Sequence, residues 1–333
     1  MTPPPLEAVG VIGAGAVGQA VSTALVASAP PGRLLIASRV LDQAVALAAD
    51  LGDMRHATAS PVHPEACDVE GLADCTAVVV AVRTAFTNTH TADVRMAGAA
   101  ANAPVIRALA ACLHGYQGTV LVVTNPVDLM PRLFAEASGC PRVYGIGSNL
   151  DSARFRLTLA RLLNVPADAV QGHVIGEHGD GAVVCASSTT VNGTPAQVPL
   201  AEVRAELRTR PGRISAGVGR TRSGPAGAVL SALRKALGLV DGTEELTAEH
   251  RGDWLGIPLR FTSGRPVACL PALNADEDAQ LAATLTKLRG AYGRSAVLPH
   301  PQPLWRRREY PYRHPAAGRG RERDRAQQHR LRH

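Results

Sequence analysis

Long apolar runs are missing from this sequence. No stretch approaches the roughly 18 consecutive apolar residues that a bilayer-spanning helix requires, so such a helix is excluded. Closely paired cysteines are missing too. The six cysteines, at 67, 75, 112, 140, 185 and 269, include no C-x-x-C pair. Scattered thiols of this kind fit a reducing cytosol better than a disulfide framework or a zinc site, and no metal centre is expected. The first residues, Met1-Thr-Pro-Pro-Pro5, lack the basic-then-apolar pattern of a secretory signal, and the expected location is cytoplasmic.

Enough apolar material is present for a core. Hydrophobic residues make up 46% of the 333, which excludes global disorder, and the length is compatible with two ordinary domains. The formal charge of +7 is unevenly placed. Residues 294–333 hold 11 Arg and 3 acids, whereas the other 293 residues hold 24 bases and 25 acids. The body is close to neutral, and the surplus sits in one terminal segment rich in Pro, Arg, His and Gln. That segment is expected to be flexible.

Residues 8–12 read as a short buried strand, followed at once by Gly13-Ala-Gly-Ala-Val-Gly18 and an Ala/Val-rich helix over 19–29. Further strands are expected at 34–37, 78–82 and 119–123, with a helix at 41–51 and helical patterns between the others. This β-α-β alternation indicates an α/β protein whose N-terminal part is a doubly wound parallel Rossmann sheet. After about residue 147 the texture changes. A helix is expected at 148–163, strand-like runs at 170–175 and 182–191, an Asn192-Gly193 turn, and helices at 225–238 and 277–293. The expected division is a dinucleotide-binding domain over 1–147, a mixed α+β substrate domain over 148–293, and the basic tail over 294–333.

The spacing Gly13-x-Gly15-x-x-Gly18, between a strand and a helix, suits a pyrophosphate cradle. Gly13 makes the tight turn, Gly15 lets the phosphates reach the backbone, and Gly18 lets helix and strand pack closely. Ala16 and Val17 open the helix, whose free N–H groups face the anion. At the end of the second strand, where NAD enzymes place an acidic residue for the ribose hydroxyls, this chain has Ser38-Arg39. Without the carboxylate a 2′-phosphate is not repelled, and Arg39 and Ser38 can bind it. NADP is therefore favoured, with NAD possible.

Three further segments follow in order: Thr124-Asn-Pro-Val-Asp128, Asn149-Leu-Asp-Ser-Ala-Arg154 and Gly176-Glu-His-Gly-Asp180. With the glycine loop they resemble the L-lactate/L-malate dehydrogenase superfamily of 2-hydroxyacid dehydrogenases, over roughly residues 8–293. The resemblance implies an NAD(P)-dependent enzyme that interconverts a 2-keto acid and an L-2-hydroxy acid, usually as a homodimer or homotetramer. It casts His178 as acid/base, a role that suits imidazole because imidazole titrates near working pH. Asp151 would orient the histidine, and Arg154, three residues on and so on the same helix face, would grip the substrate carboxylate. Counting back seven positions from Asn102 places the family's carbonyl-polarising arginine at Arg95. Asn125 would hydrogen-bond near the nicotinamide ribose and substrate.

The segment from Val80 to Arg95 is about three residues longer than in common lactate dehydrogenases and is similar in length to that of L-2-hydroxyisocaproate dehydrogenases. Malate dehydrogenases have a second arginine where Thr89 stands here. A distal carboxylate would lack its partner, which argues for a substrate bulkier or less acidic than oxaloacetate. Thr221, in Gly219-Arg-Thr-Arg-Ser-Gly224, matches a position that faces substrate, while Arg220 and Arg222 beside it are unusual for the family and leave an anionic side chain open. Malate or lactate dehydrogenase proper is the alternative. The arginine-rich tail could bind nucleic acid, but the resemblance ends before it, and no nucleic-acid or membrane partner is expected.

Overall fold

A computed structural model describes residues 6–28, 31–85 and 96–296. The first half is a Rossmann unit. Strand β1 (Leu6–Ile12) passes through the glycine loop into α1 (Ala16–Ser28) and β2 (Pro31–Ala37). There follow α2 (Leu41–Thr58), β3 (His63–Cys67), β4 (Ala77–Val80), α3 (Ala99–Cys112), β5 (Thr119–Val122), α4 (Met130–Ser138) and β6 (Val143–Gly145). The strands pair in the order β3-β2-β1-β4-β5-β6, all parallel. This is the doubly wound order, in which the crossover direction reverses between β1 and β4. Ala77 to Val80 and Val120 to Val122 are fully buried, which explains why these strands read as unbroken apolar runs without alternation.

The second half starts with α5 (Ser148–Leu163), β7 (Val170–Gln171), β8 (Val174–Gly176), β9 (Ala182–Val184), β10 (Thr190–Val191) and β11 (Thr194–Pro195). It continues with α6 (Leu200–Val218), α7 (Ser223–Ala236), β12 (Gly242–His250), β13 (Asp253–Thr262), β14 (Arg265–Ala268) and α8 (Ala275–Ala296). The β12–β13 hairpin bridges the two halves. β12 joins β6 through Thr247 and Gly145, and β13 joins β8 through Gly256 and Gly176. One sheet therefore runs from the dinucleotide-type strands into the second half, while β7, β10 and β11 form a small sheet apart. The main core cluster likewise runs from β1 to Ile257, Phe261 and Leu288, and Tyr144 meets Phe261 edge-on, with ring centroids 6.0 Å apart.

Several elements differ from the sequence expectation. The run at 170–175 is two strands in two different sheets, broken at Gly172, where an added Cβ would lie 2.5 Å from the Phe155 ring. The run at 182–191 divides in the same way into β9 and β10. Helix α6 was hidden by its interior Pro211, normally a breaker, and by burying only Val203. The long hairpin was hidden because β12 sits between two strands and buries Glu244 and Glu245 beside Leu246, Thr247 and Ala248, so no polar–apolar alternation marks it. Glu244 is held there by Lys235, Ser231 and Asn149, and Glu245 by Arg156 and His173. Burial pushes the Glu245 carboxyl up, but the hydrogen bond with His173 and the charge of Arg156 prevail and hold it below the usual range. The last helix reaches Ala296, three residues into the 294–333 segment.

Candidate active site

At the carboxyl ends of β1, β2 and β4, the three loop glycines meet three different demands. Gly13 has φ of +117°, and a Cβ there would lie 2.6 Å from the Ala81 carbonyl oxygen. At Gly18 a Cβ would lie only 1.7 Å from the Gly13 oxygen. Both positions are set by packing within the chain. Gly15 is different: it is exposed, and a Cβ would meet nothing within 4 Å. The bare backbone there is open to a ligand, while Ala16, Val17 and Gly18 begin α1 with no acid in its first turn. This arrangement fits a dinucleotide pyrophosphate, which the Gly15 backbone and the helix N-terminus would hold. Accordingly, Gly15→Ala is expected to leave thermal stability nearly unchanged and to weaken dinucleotide binding about tenfold or more; equal loss of both, read by melting and titration calorimetry, would overturn this division of roles.

Ser38 is half-buried at the end of β2, and its hydroxyl donates to Gln43 Oε1 at 3.2 Å. Arg39 is exposed, with no hydrogen bond or ion pair among the described residues. Both sit at the carboxyl end of β2, beside the glycine loop, where the Gly13 N–H donates to the Ala37 oxygen at 2.8 Å.

The catalytic candidates converge where the two halves meet. Asp151 and Arg154 lie on the first two turns of α5, and each is 6% exposed. The i,i+3 spacing places Arg154 Nη1 3.3 Å from Asp151 Oδ1. His178 follows β8, and its ring Nδ1 lies 2.6 Å from Asp151 Oδ2. The other ring nitrogen, Nε2, remains for chemistry. Gly147 makes this contact possible: a Cβ there would come within 2.6 Å of the His178 ring and 2.7 Å of Val127.

A second carboxylate holds the histidine from its backbone. Asp128 Oδ2 accepts the His178 N–H at 2.7 Å, and its Oδ1 accepts the Thr247 hydroxyl at 2.7 Å. Burial raises the Asp128 carboxyl to about 6, against the lowering effect of those bonds. A folded-state value above the ordinary carboxylate range means that protonation stabilises the fold as pH falls from about 6 toward about 4. The stability of the wild type relative to Asp128→Asn is expected to rise over that interval, as urea unfolding at several pH values would report.

Asn125 lies after β5 with an exposed side chain. Its carbonyl accepts from Asn102 Nδ2 at 2.8 Å, and Asn102 Oδ1 accepts the Thr84 N–H at 2.8 Å. Asn102 thus ties the segment after β4 to the segment after β5. Glu177 is 2% exposed, and Lys287 of α8 donates to both its oxygens at 2.7 Å. Sequence reasoning missed the tethering roles of Asp128, Gly147, Asn102 and Lys287. Only Asn102 carried a local signal, as a polar residue set among the alanines of Ala99-Ala-Ala-Asn-Ala103. Thr221 lies half-buried between α6 and α7, with Arg220 and Arg222 exposed around it. Arg95 and Thr89 lie outside the described residues. No helix among the described residues is long and apolar enough to cross a membrane.

A glycine loop at the reversal point of a parallel sheet, in the same molecule as a buried histidine–carboxylate pair, defines an α/β dinucleotide-dependent oxidoreductase. The comparisons place it further. Residues 7–147 match the lactate/malate dehydrogenase NAD-binding domain, and residues 148–208 match the α/β C-terminal domain of the same family. The chain belongs to the lactate/malate dehydrogenase family. It is 33% identical over 227 residues to an L-lactate dehydrogenase of Lactobacillus delbrueckii subsp. bulgaricus, an alignment covering 65% of this chain and 73% of that one. It is 33% identical over 147 residues to an L-2-hydroxycarboxylate dehydrogenase (NAD(P)(+)) of Methanocaldococcus jannaschii, covering 41% and 47%. These alignments span from about half to about three quarters of the relatives' length. In fold, the chain is similar to a lactate dehydrogenase from a Medee basin deep-sea metagenome library, with a TM-score of 0.80 and 22% identity over 88% of this chain and 100% of that one. Malate dehydrogenase of Plasmodium falciparum gives 0.79 and 18%, over 88% and 99%.

Proposed function

We propose that this protein interconverts a 2-keto acid and an L-2-hydroxy acid, with NADPH preferred over NADH and a substrate bulkier or less acidic than oxaloacetate. The observation that carries the reading is the buried contact of 2.6 Å between His178 Nδ1 and Asp151 Oδ2. A nicotinamide dinucleotide, when bound, supplies the hydride. His178 holds the proton on Nε2 and gives it to the carbonyl oxygen as that oxygen gains charge, then takes it back in the oxidation direction. Asp151 accepts from Nδ1–H, which keeps Nε2 facing substrate and stabilises the imidazolium. Arg154 pairs with the substrate carboxylate through its planar fork. Arg95 polarises the carbonyl, while Asn125, Thr221 and Thr89 border the substrate. A domain division near residue 147 puts the cofactor on one side of this centre and the acid/base on the other.

Exposed Arg39 and the absence of an acid beside Ser38 support the preference for NADPH, as does the (NAD(P)(+)) in the name of the Methanocaldococcus relative. Ser38→Asp is expected to shift the ratio of kcat/KM toward NADH at least tenfold, by charge repulsion with the 2′-phosphate; an unchanged ratio refutes the assignment. Six free thiols suit a cytosolic setting, and a homo-oligomer is part of the same reading. The deciding experiment is a steady-state screen of pyruvate, oxaloacetate and branched or aromatic 2-keto acids with each cofactor. Oxaloacetate or pyruvate preferred by orders of magnitude would replace the proposed substrate with malate or lactate.

A further inference from the structure

We propose that Asp128 is a positioning residue for His178, acting through its hydrogen bond to the histidine backbone and through its negative charge. The inference rests on His178 being the acid/base. Asp128 is 2% exposed and lies three residues after Asn125, on the segment leading to α4. Its two oxygens join that segment to the loop after β8 and to β12, through the His178 N–H and the Thr247 hydroxyl. The two partners lie 50 and 119 residues from Asp128 in the chain. The histidine is thereby gripped twice, by Asp151 at the ring and by Asp128 at the backbone, from opposite domains.

A buried carboxylate held by one N–H and one hydroxyl is a costly way to join strands, since a well-packed apolar or neutral side chain does so more cheaply. The charge has a use here. It faces the loop whose histidine is positive in one half of the cycle. The charged groups around it are few. His178 and Glu177 come from the loop after β8, with Glu177 paired to Lys287 of α8. Asp151 and Arg154 approach His178 from α5. Arg132, Asp253 and Arg289 line a small cavity beside Asp128, where Arg289 is engaged with Asp253 at 2.6 Å. Glu177 and Asp253 are paired to cations and Asp151 is shared between His178 and Arg154, so Asp128 is the carboxylate in contact with His178 that has no ion pair to a lysine or arginine among the described residues.

Three variants separate the parts. Asp128→Asn keeps an oxygen for the His178 N–H and an amide for the Thr247 oxygen, but loses the charge. Asp128→Ala loses everything, and Thr247→Val loses only the support of the carboxylate. In the folded holoenzyme, Asp128→Ala is expected to reduce kcat/KM for 2-keto-acid reduction on the order of 100-fold through misplacement of His178, with dinucleotide affinity retained. Asp128→Asn is expected to recover most of that loss, and its high-pH limb of reduction is expected to move to lower pH because the imidazolium has lost an anion. Thr247→Val should fall between wild type and Asp128→Ala. The proposal is overturned if Asp128→Ala folds and turns over like wild type. It is equally overturned if Asp128→Asn leaves the pH limb in place, which marks a structural tie alone. Should Asp128→Ala fail to fold, the limb of Asp128→Asn decides. His178→Asn, measured beside them, separates the two levels: activity surviving that change sinks the acid/base reading, whereas its loss with unaltered Asp128 variants sinks only this inference.

Discussion

Replacing His178 by asparagine is expected to lower 2-keto-acid reduction on the order of 1,000-fold while leaving dinucleotide binding unchanged. General acid–base catalysis by a placed side chain contributes about 100- to 10,000-fold, and asparagine cannot carry the proton. Asparagine can still donate a hydrogen bond to Asp151, so the buried carboxylate is not stranded. The glycine loop lies after β1, on a separate element from the loop after β8 that bears His178, so cofactor affinity has no reason to change. Steady-state rates together with a dinucleotide titration test both halves. A variant within tenfold of wild type would remove His178 from the chemistry.

The second large effect is expected from Asp151→Asn. Both oxygens of this carboxylate are in use, one at 2.6 Å from the His178 ring and the other at 3.3 Å from Arg154. An amide can preserve the ring contact but not the charge. At about 4 Å and an effective dielectric constant near 20, one charge pair is worth about 4 kcal/mol, or about three decades in an equilibrium. Arg154 beside the pair opposes part of that. The expected result is a fall in kcat/KM of about 100- to 1,000-fold at neutral pH. The high-pH limb of reduction should move down by at least about one unit, because the histidine releases its proton more easily without the anion. The change also loosens Arg154, so KM for the keto acid should rise alongside the loss in kcat. A loss under tenfold with an unmoved limb would show that Asp151 only packs against the ring.

The parts of the site that could be read in advance are those in which one short segment carries the whole signal. Gly13, Gly15 and Gly18 sit between an apolar run and an Ala/Val-rich helix, and Asp151 and Arg154 are one helical turn apart. Gly176-Glu-His-Gly-Asp180 marks a loop by its glycines. The β7–β8 region misled because a continuous apolar run does not show that Gly172 must lie against Phe155. The hairpin of β12 and β13 was invisible because Glu244 and Glu245 are buried only by virtue of Lys235, Arg156 and His173 from other elements.

By itself the sequence determined the dinucleotide-type sheet, the glycine loop at its first turn, and which histidine, aspartate and arginine are available, since period, turn chemistry and residue type act over a few positions. Only the tertiary structure decided which of these groups meet. His178 and Asp151 are 27 residues apart in the chain, and Asp128 and Thr247 are 119 apart. Closing such distances is the work of the continuous core and of the β12–β13 hairpin, which binds β6 to β8. That packing removes the carboxylates from water and gives their few hydrogen bonds the strength that an exposed pair on a helix would lack.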